Sequence, residues 1–157
     1  MLYTATNLIG ACSDFDICRD CVGPAPPVGE TGFENCKAVE FKHYYVSSYY
    51  EFSGVYNMKT ELAVNGPISC GIEVTAAFDA YNGGIYAEKK DNISLNHEIA
   101  IVGYGIDAKT STEYWIGRNS WGTYWGEFGF FRIQMYTDNL GIETDCTAGI
   151  PSFTKKS

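Results

Sequence analysis

His97 and Asn119 are the two side chains in this sequence whose types and spacing fit proton-transfer chemistry, with Trp121 two residues beyond the amide. A neutral imidazole acts as a general base only if one ring nitrogen is free to take a proton. The other must donate to a fixed acceptor that sets the tautomer. An amide oxygen provides that acceptor without adding a charge, and a neighbouring indole keeps water from competing for the bond. Taken one at a time, Asn119 reads as a turn residue, Trp121 as a core aromatic and His97 as a strand-end histidine. The two long motifs that carry them favour a catalytic frame instead.

The elements that must position this pair occupy residues 96–133. Residues 96–105 read Asn-His-Glu-Ile-Ala-Ile-Val-Gly-Tyr-Gly, with His97, Ile99 and Ile101 on one side of an alternating strand and Glu98, Ala100 and Val102 on the other. A second apolar run begins at Glu113-Tyr-Trp-Ile-Gly-Arg-Asn-Ser-Trp-Gly122 and continues to Ile133. Between them, Asp107 to Thr112 are small, polar or charged, so the two runs are expected to fold back antiparallel and bring Asn119 to His97.

Asn96-His97-Glu98 with Gly103-Tyr104-Gly105, and Arg118-Asn-Ser-Trp-Gly122 with Trp125-Gly-Glu-Phe-Gly129, resemble the histidine and asparagine motifs of papain-like cysteine peptidases. Upstream, Asn65-Gly-Pro-Ile-Ser-Cys-Gly-Ile72 and Gly83-Gly-Ile-Tyr-Ala-Glu88 are similar more narrowly to the cathepsin X (cathepsin Z) branch, which are carboxypeptidases. The resemblance covers nearly the whole chain. It implies a thiol peptidase acting on peptide or protein substrates, with His97 as base, Asn119 as orienting amide and Trp121 as shield. No metal or other cofactor is expected.

The resemblance also implies a part that these residues do not supply. In papain-like enzymes the nucleophilic cysteine precedes its His and Asn by roughly 130 to 150 residues, which places it about 33 to 53 residues before Met1. None of Cys12, Cys18, Cys21, Cys36, Cys70 and Cys146 precedes a tryptophan, as the family nucleophile does. The chain is therefore expected to be the C-terminal half of such an enzyme, partnered by an N-terminal half that bears the thiolate. Alone it would be inactive. A catalytically inactive binding module of the same family is the alternative, and a cysteine-rich metal-binding protein is a more distant one.

Composition agrees with a folded acidic protein. Of 157 residues, 45% are hydrophobic and 15% aromatic, enough for a packed core. Eleven basic and 19 acidic residues give a net charge of −8, which argues against nucleic acid or anionic membrane partners. No apolar run reaches spanning length and the first residues do not read as a secretion signal. Six cysteines and an Asn92-Ile93-Ser94 glycosylation sequon nonetheless fit an oxidising route. By resemblance the destination is lysosomal, vacuolar or secreted.

The fold expected is α+β and mostly β, an antiparallel barrel-like sheet forming one half-domain over 1–157. Residues 1–38, rich in Cys, Gly and Pro, read as a cysteine-rich loop region without a helix or strand period. Cys12, Cys18, Cys21 and Cys36 could be zinc ligands or, at Cys18-Arg-Asp-Cys21, a redox pair, but the second ligand pair and the βαβ context are missing, so structural disulfides are favoured. The pairs expected are Cys21–Cys36 and Cys70–Cys146, while the cathepsin X pattern implies that Cys12 and Cys18 pair before Met1. Residues 39–55 are aromatic strand material in which His43 has no catalytic partner nearby. Asn57 is expected to cap a helix over 58–64 that Gly66-Pro67 stops. Residues 67–75 alternate as a strand with Cys70 inward.

Overall fold

The computed structural model describes residues 19–21, 36–40 and 42–154. The chain divides into one unit over residues 1–44 and another over residues 45–157. In the first, β1 (Arg19–Cys21) and β2 (Cys36–Ala38) form an antiparallel ribbon that sets Cys21 opposite Cys36. Cys36 is disulfide-bonded. Cys12 and Cys18 lie outside the described residues, as do the side chain of Cys21 and most of the cysteine-rich stretch. The ribbon is short enough that no alternation could reveal it.

The second unit is a seven-stranded sheet. It is built from β3 (Tyr45–Phe52), β4 (Ile68–Ile72), β5 (Ile85–Tyr86), β6 (His97–Ile106), β7 (Glu113–Arg118), β8 (Phe130–Gln134) and β9 (Cys146–Ser152). Their order in space is β3-β9-β4-β6-β7-β8-β5, antiparallel except for the parallel β5–β8 pair. Strands β3 and β5 end the sheet and do not pair with each other. The architecture is thus mostly β, and barrel-like describes it only loosely because the sheet stays open.

Helix α1 (Val55–Val64) packs on this sheet through Met58, which is wholly buried, with Val55 and Leu62 beside it. It starts earlier than residue spacing implies. Gly54, at φ 83, is the N-cap, and Asn57 sits inside the first turn with its amide donating back to the Ser53 carbonyl at 2.8 Å. The expected stop holds at Gly66, whose φ of +107 favours glycine. A second, four-residue helix, α2 (Ala76–Asp79), carries no hydrophobic period of its own. Thr75 begins it, the side-chain oxygen accepting from the Phe78 amide at 3.1 Å, and so plants Phe78 in the core.

One face of the sheet and its helices enclose Ile68, Ile72, Ile101, Trp115, Phe131 and Ile133, all with almost no exposure. Cys70 and Cys146 face each other across β4 and β9 in this core, 0% and 1% exposed, and form a disulfide. After β8 the chain turns through a 3₁₀ helix (Asn139–Gly141). There the buried Glu143 carboxylate accepts from Trp115 Nε1 at 2.9 Å, Tyr136 N at 3.0 Å and Asp138 N at 3.3 Å. Each oxygen of a buried carboxylate must be satisfied in this way to offset its lost hydration.

Candidate active site

Strand β6 begins at His97 and strand β7 ends one residue before Asn119. The antiparallel register pairs Ala100 with Arg118. Continued toward the open end of the hairpin, that register sets Asn119 and Trp121 against the start of β6, where His97 stands. The hairpin loop is closed at its far end by Asp107, whose Oδ1 accepts from the amides of Lys109 and Thr110 at 3.0 and 2.8 Å. Local turn chemistry thereby fixes the register that brings the two side chains together.

His97 Nε2 lies 2.9 Å from Asn119 Oδ1. The Ser120 backbone N–H also donates to Oδ1, at 2.8 Å, and this second donor identifies that atom as oxygen rather than nitrogen. An oxygen cannot donate, so His97 Nε2 must carry the proton, and Nδ1 is the nitrogen left to accept one. Asn119 is only 8% exposed and its backbone N–H is held by the Gly129 carbonyl at 2.9 Å, so the amide cannot easily turn away. Its Nδ2 is buried without a hydrogen-bond partner among the described residues.

The backbone of His97 is gripped from the other side. Asn96 Oδ1 accepts from Val74 N at 2.8 Å and Asn96 Nδ2 donates to Val74 O at 3.4 Å, prolonging the β4–β6 pairing past its last rung, Ile72 with His97. Glu98 points to the opposite face, exposed, and accepts from Ser69 Oγ at 3.1 Å.

Trp121 is half-buried, its ring 5.1 Å from the imidazole centroid and tilted by 31°. It leans in turn on Trp125 at 5.0 Å and Phe78 at 6.5 Å. Trp125 is tied by its Nε1–H to the Asp79 carbonyl at 2.8 Å. The loop that carries both indoles is braced by Glu127, which receives two bonds from Arg132, at 2.9 and 2.6 Å, and one from Gly84 N at 2.9 Å. Hydrogen bonding to Arg132 holds the Glu127 carboxyl below its ordinary range, and burial opposes this only in part. Residue spacing gives no sign of Phe78, and although Asn96 and Glu127 stand inside the two motifs, residue type there does not reveal the bonds by which they brace the site. The Thr75 cap ahead of Phe78 is the one local signal that could have drawn notice.

The papain family cysteine protease model matches residues 16–150. The chain belongs to the papain family of cysteine proteases. It is 41% identical over 150 residues to cathepsin Z of Onchocerca volvulus, a match that covers 90% of this chain and 45% of that protein. Among solved structures it resembles digestive procathepsin L 3 of Tenebrio molitor larval midgut, with 37% identity and a TM-score of 0.60 over 66% of this chain and 35% of that one. It also resembles procathepsin B S9 of Trypanosoma congolense, with 29% identity and a TM-score of 0.63 over 71% and 38% respectively. The chain thus spans less than half the length of these papain-family relatives.

Proposed function

We propose that this papain-family chain supplies the base side of a thiol peptidase, with His97 as general base and acid, Asn119 as its orienting amide and Trp121 as the cover over their bond. The observation that carries the reading is the doubly donated Asn119 Oδ1, which leaves His97 Nδ1 as the accepting nitrogen. The nucleophile comes from an N-terminal half-domain outside these 157 residues, and residues 1–157 form a single C-terminal half with a cysteine-rich loop region at its start. Two facts support this. The six cysteines lack the family's nucleophile context, and Cys70 and Cys146 are oxidised and buried.

In the joined enzyme the thiol gives its proton to Nδ1, and the resulting thiolate and imidazolium form an ion pair, for which papain is a worked example. The thiolate attacks the scissile carbonyl carbon. Imidazolium then protonates the leaving amine as the C–N bond breaks, leaving a thioester and a neutral His97. Water attacks the thioester, one of its protons passes to Nδ1, and the C–S bond breaks to release the acid product and restore the thiolate–imidazolium pair. Removal of residues from a carboxyl terminus, in a lysosomal, vacuolar or secreted setting, follows the likeness to cathepsin Z and fits the buried disulfide. An inactive module that keeps the cleft wall and binds peptides is the competing reading.

The test joins the chain to a thiol-bearing half and measures peptide turnover. Turnover that thiol alkylation abolishes and that His97→Ala removes supports the peptidase reading. A joined, folded protein whose turnover ignores His97→Ala, or that binds peptides without cleaving them, overturns it.

A further inference from the structure

The connection between β5 and β6 holds a motif that peptide cleavage does not use. Asn92-Ile93-Ser94 is the single Asn-X-Ser/Thr sequence among the 157 residues. Its neighbours fix it to the sheet unit. Ile93 and Leu95 pack over Gly141, where an added Cβ would meet Leu95 Cδ2 at 2.7 Å and Ile93 Cγ2 at 2.8 Å. The Ser94 N–H donates to Glu73 Oε2 at 3.0 Å, and Lys90 is ion-paired to the other oxygen of that carboxylate. Between these anchors Asn92 is exposed, turns at φ 57 and makes no side-chain hydrogen bond among the described residues. A bulky substituent on its amide would displace no packed group.

A second observation is independent of the motif. The Cys70–Cys146 disulfide is sealed inside the core, and such cross-links form in the oxidising compartments of the secretory route. That route is also where oligosaccharide is placed on sequons. We propose that Asn92 is an acceptor for an N-linked oligosaccharide. The donor class is a lipid-pyrophosphate-linked oligosaccharide. Asn92 Nδ2 forms the bond to C1 of the reducing-end sugar, the bond from C1 to the pyrophosphate oxygen breaks, the lipid pyrophosphate leaves and one amide proton passes to a base on the transferase. Nothing is oxidised or reduced. The inference does not rest on the peptidase reading.

The test expresses the full chain behind a cleavable secretory leader in a eukaryotic cell and reads total chain, because transfer occurs on entry, before folding can fail. Leader removal, checked by mass, reports entry. Peptide N-glycosidase is expected to shift the chain down to the bare polypeptide and to convert Asn92 to Asp. Asn92→Gln and Ser94→Ala each lose that shift, and Ser94→Thr retains it. A leader-cleaved chain whose Asn92 peptide is unmodified overturns the proposal, as does a shift that survives Ser94→Ala.

Discussion

Asn119 is worth more to the site than its neutral side chain suggests, because one oxygen is held by two donors while the residue is almost sealed from water. In the joined enzyme the donor is the imidazolium of the ion pair, and losing a hydrogen bond to a charged group costs about 1.5–3 kcal/mol, so Asn119→Ala should lower turnover of the joined enzyme by about 10- to 150-fold. His97→Ala removes the proton carrier itself and should cost on the order of 10²–10⁴. Comparing the two variants in one assay checks the ranking. A larger loss at Asn119 than at His97 would remove the assigned roles. Both residues were legible as a pair because motif and hairpin agreed. The orienting part of Ser120 was not, since a backbone amide leaves no trace in residue type. Gly117 illustrates the same blindness. An added Cβ there would lie 2.1 Å from Phe131 Cζ, so Gly117→Ala must shift a wholly buried ring. Overpacking of this kind costs about 1–3 kcal/mol, to be read as a lower midpoint in denaturant unfolding.

Strand β4 is held on one side by β6 and on the other by β9, and the Cys70–Cys146 bond ties the latter pair across a sequence separation of 76. In the chain-entropy account a loop of that size stabilises by about 4 kcal/mol, so Cys70→Ala with Cys146→Ala should lose roughly that amount, plus a packing term. Equilibrium unfolding of the double variant measures it, and an unchanged midpoint would rule out the account. Strand β5, at the far end of the sheet, is held differently. Tyr86 donates to Glu88 Oε2, which also accepts from Thr75 Oγ1 at 2.7 Å. Burial first, and then the bond to Glu88, push the Tyr86 phenol up to about 12. A phenol whose pKa is raised by folding contributes stability that is fully present below its ordinary value near 10 and is lost as pH climbs from there toward 12. Tyr86→Phe should therefore be less stable at neutral pH but lose less on going from pH 9 to 12. Parallel profiles for the two proteins would contradict this. Of these elements, β4, β6 and β7 were readable because alternation, a polar loop and Gly-Pro punctuation coincided. The pairing of β9 was not, because Cys146-Thr-Ala-Gly-Ile-Pro-Ser152 has weak strand character and gains its place from partners distant in sequence. The short β5 and α2 take their conformations from Phe78 packing and the Thr75 cap, which no period encodes.

At the scale of the molecule, the proposed base, orienting amide and cover stand together, and the chain spans 45% of the length of its cathepsin Z relative. Among the described residues no sulfur is hydrogen-bonded to His97, Cys70 and Cys146 are consumed in a buried disulfide, and Cys36 is also oxidised. An oriented base without a thiolate accelerates little, because the members of such a catalytic unit act together and removing the nucleophile removes nearly all of the chemistry. The purified 157-residue chain should accordingly show no peptide turnover above background. The assay belongs well above pH 4.6, the isoelectric point, where the net charge of −8 at neutrality keeps molecules apart. Adding the thiol-bearing half should restore turnover, and alkylating that half beforehand should prevent it. If instead the chain alone cleaves peptides and an alkylating agent stops it, one of its own six cysteines serves as the nucleophile after all. The division of the catalytic pair between two halves would then have to be abandoned.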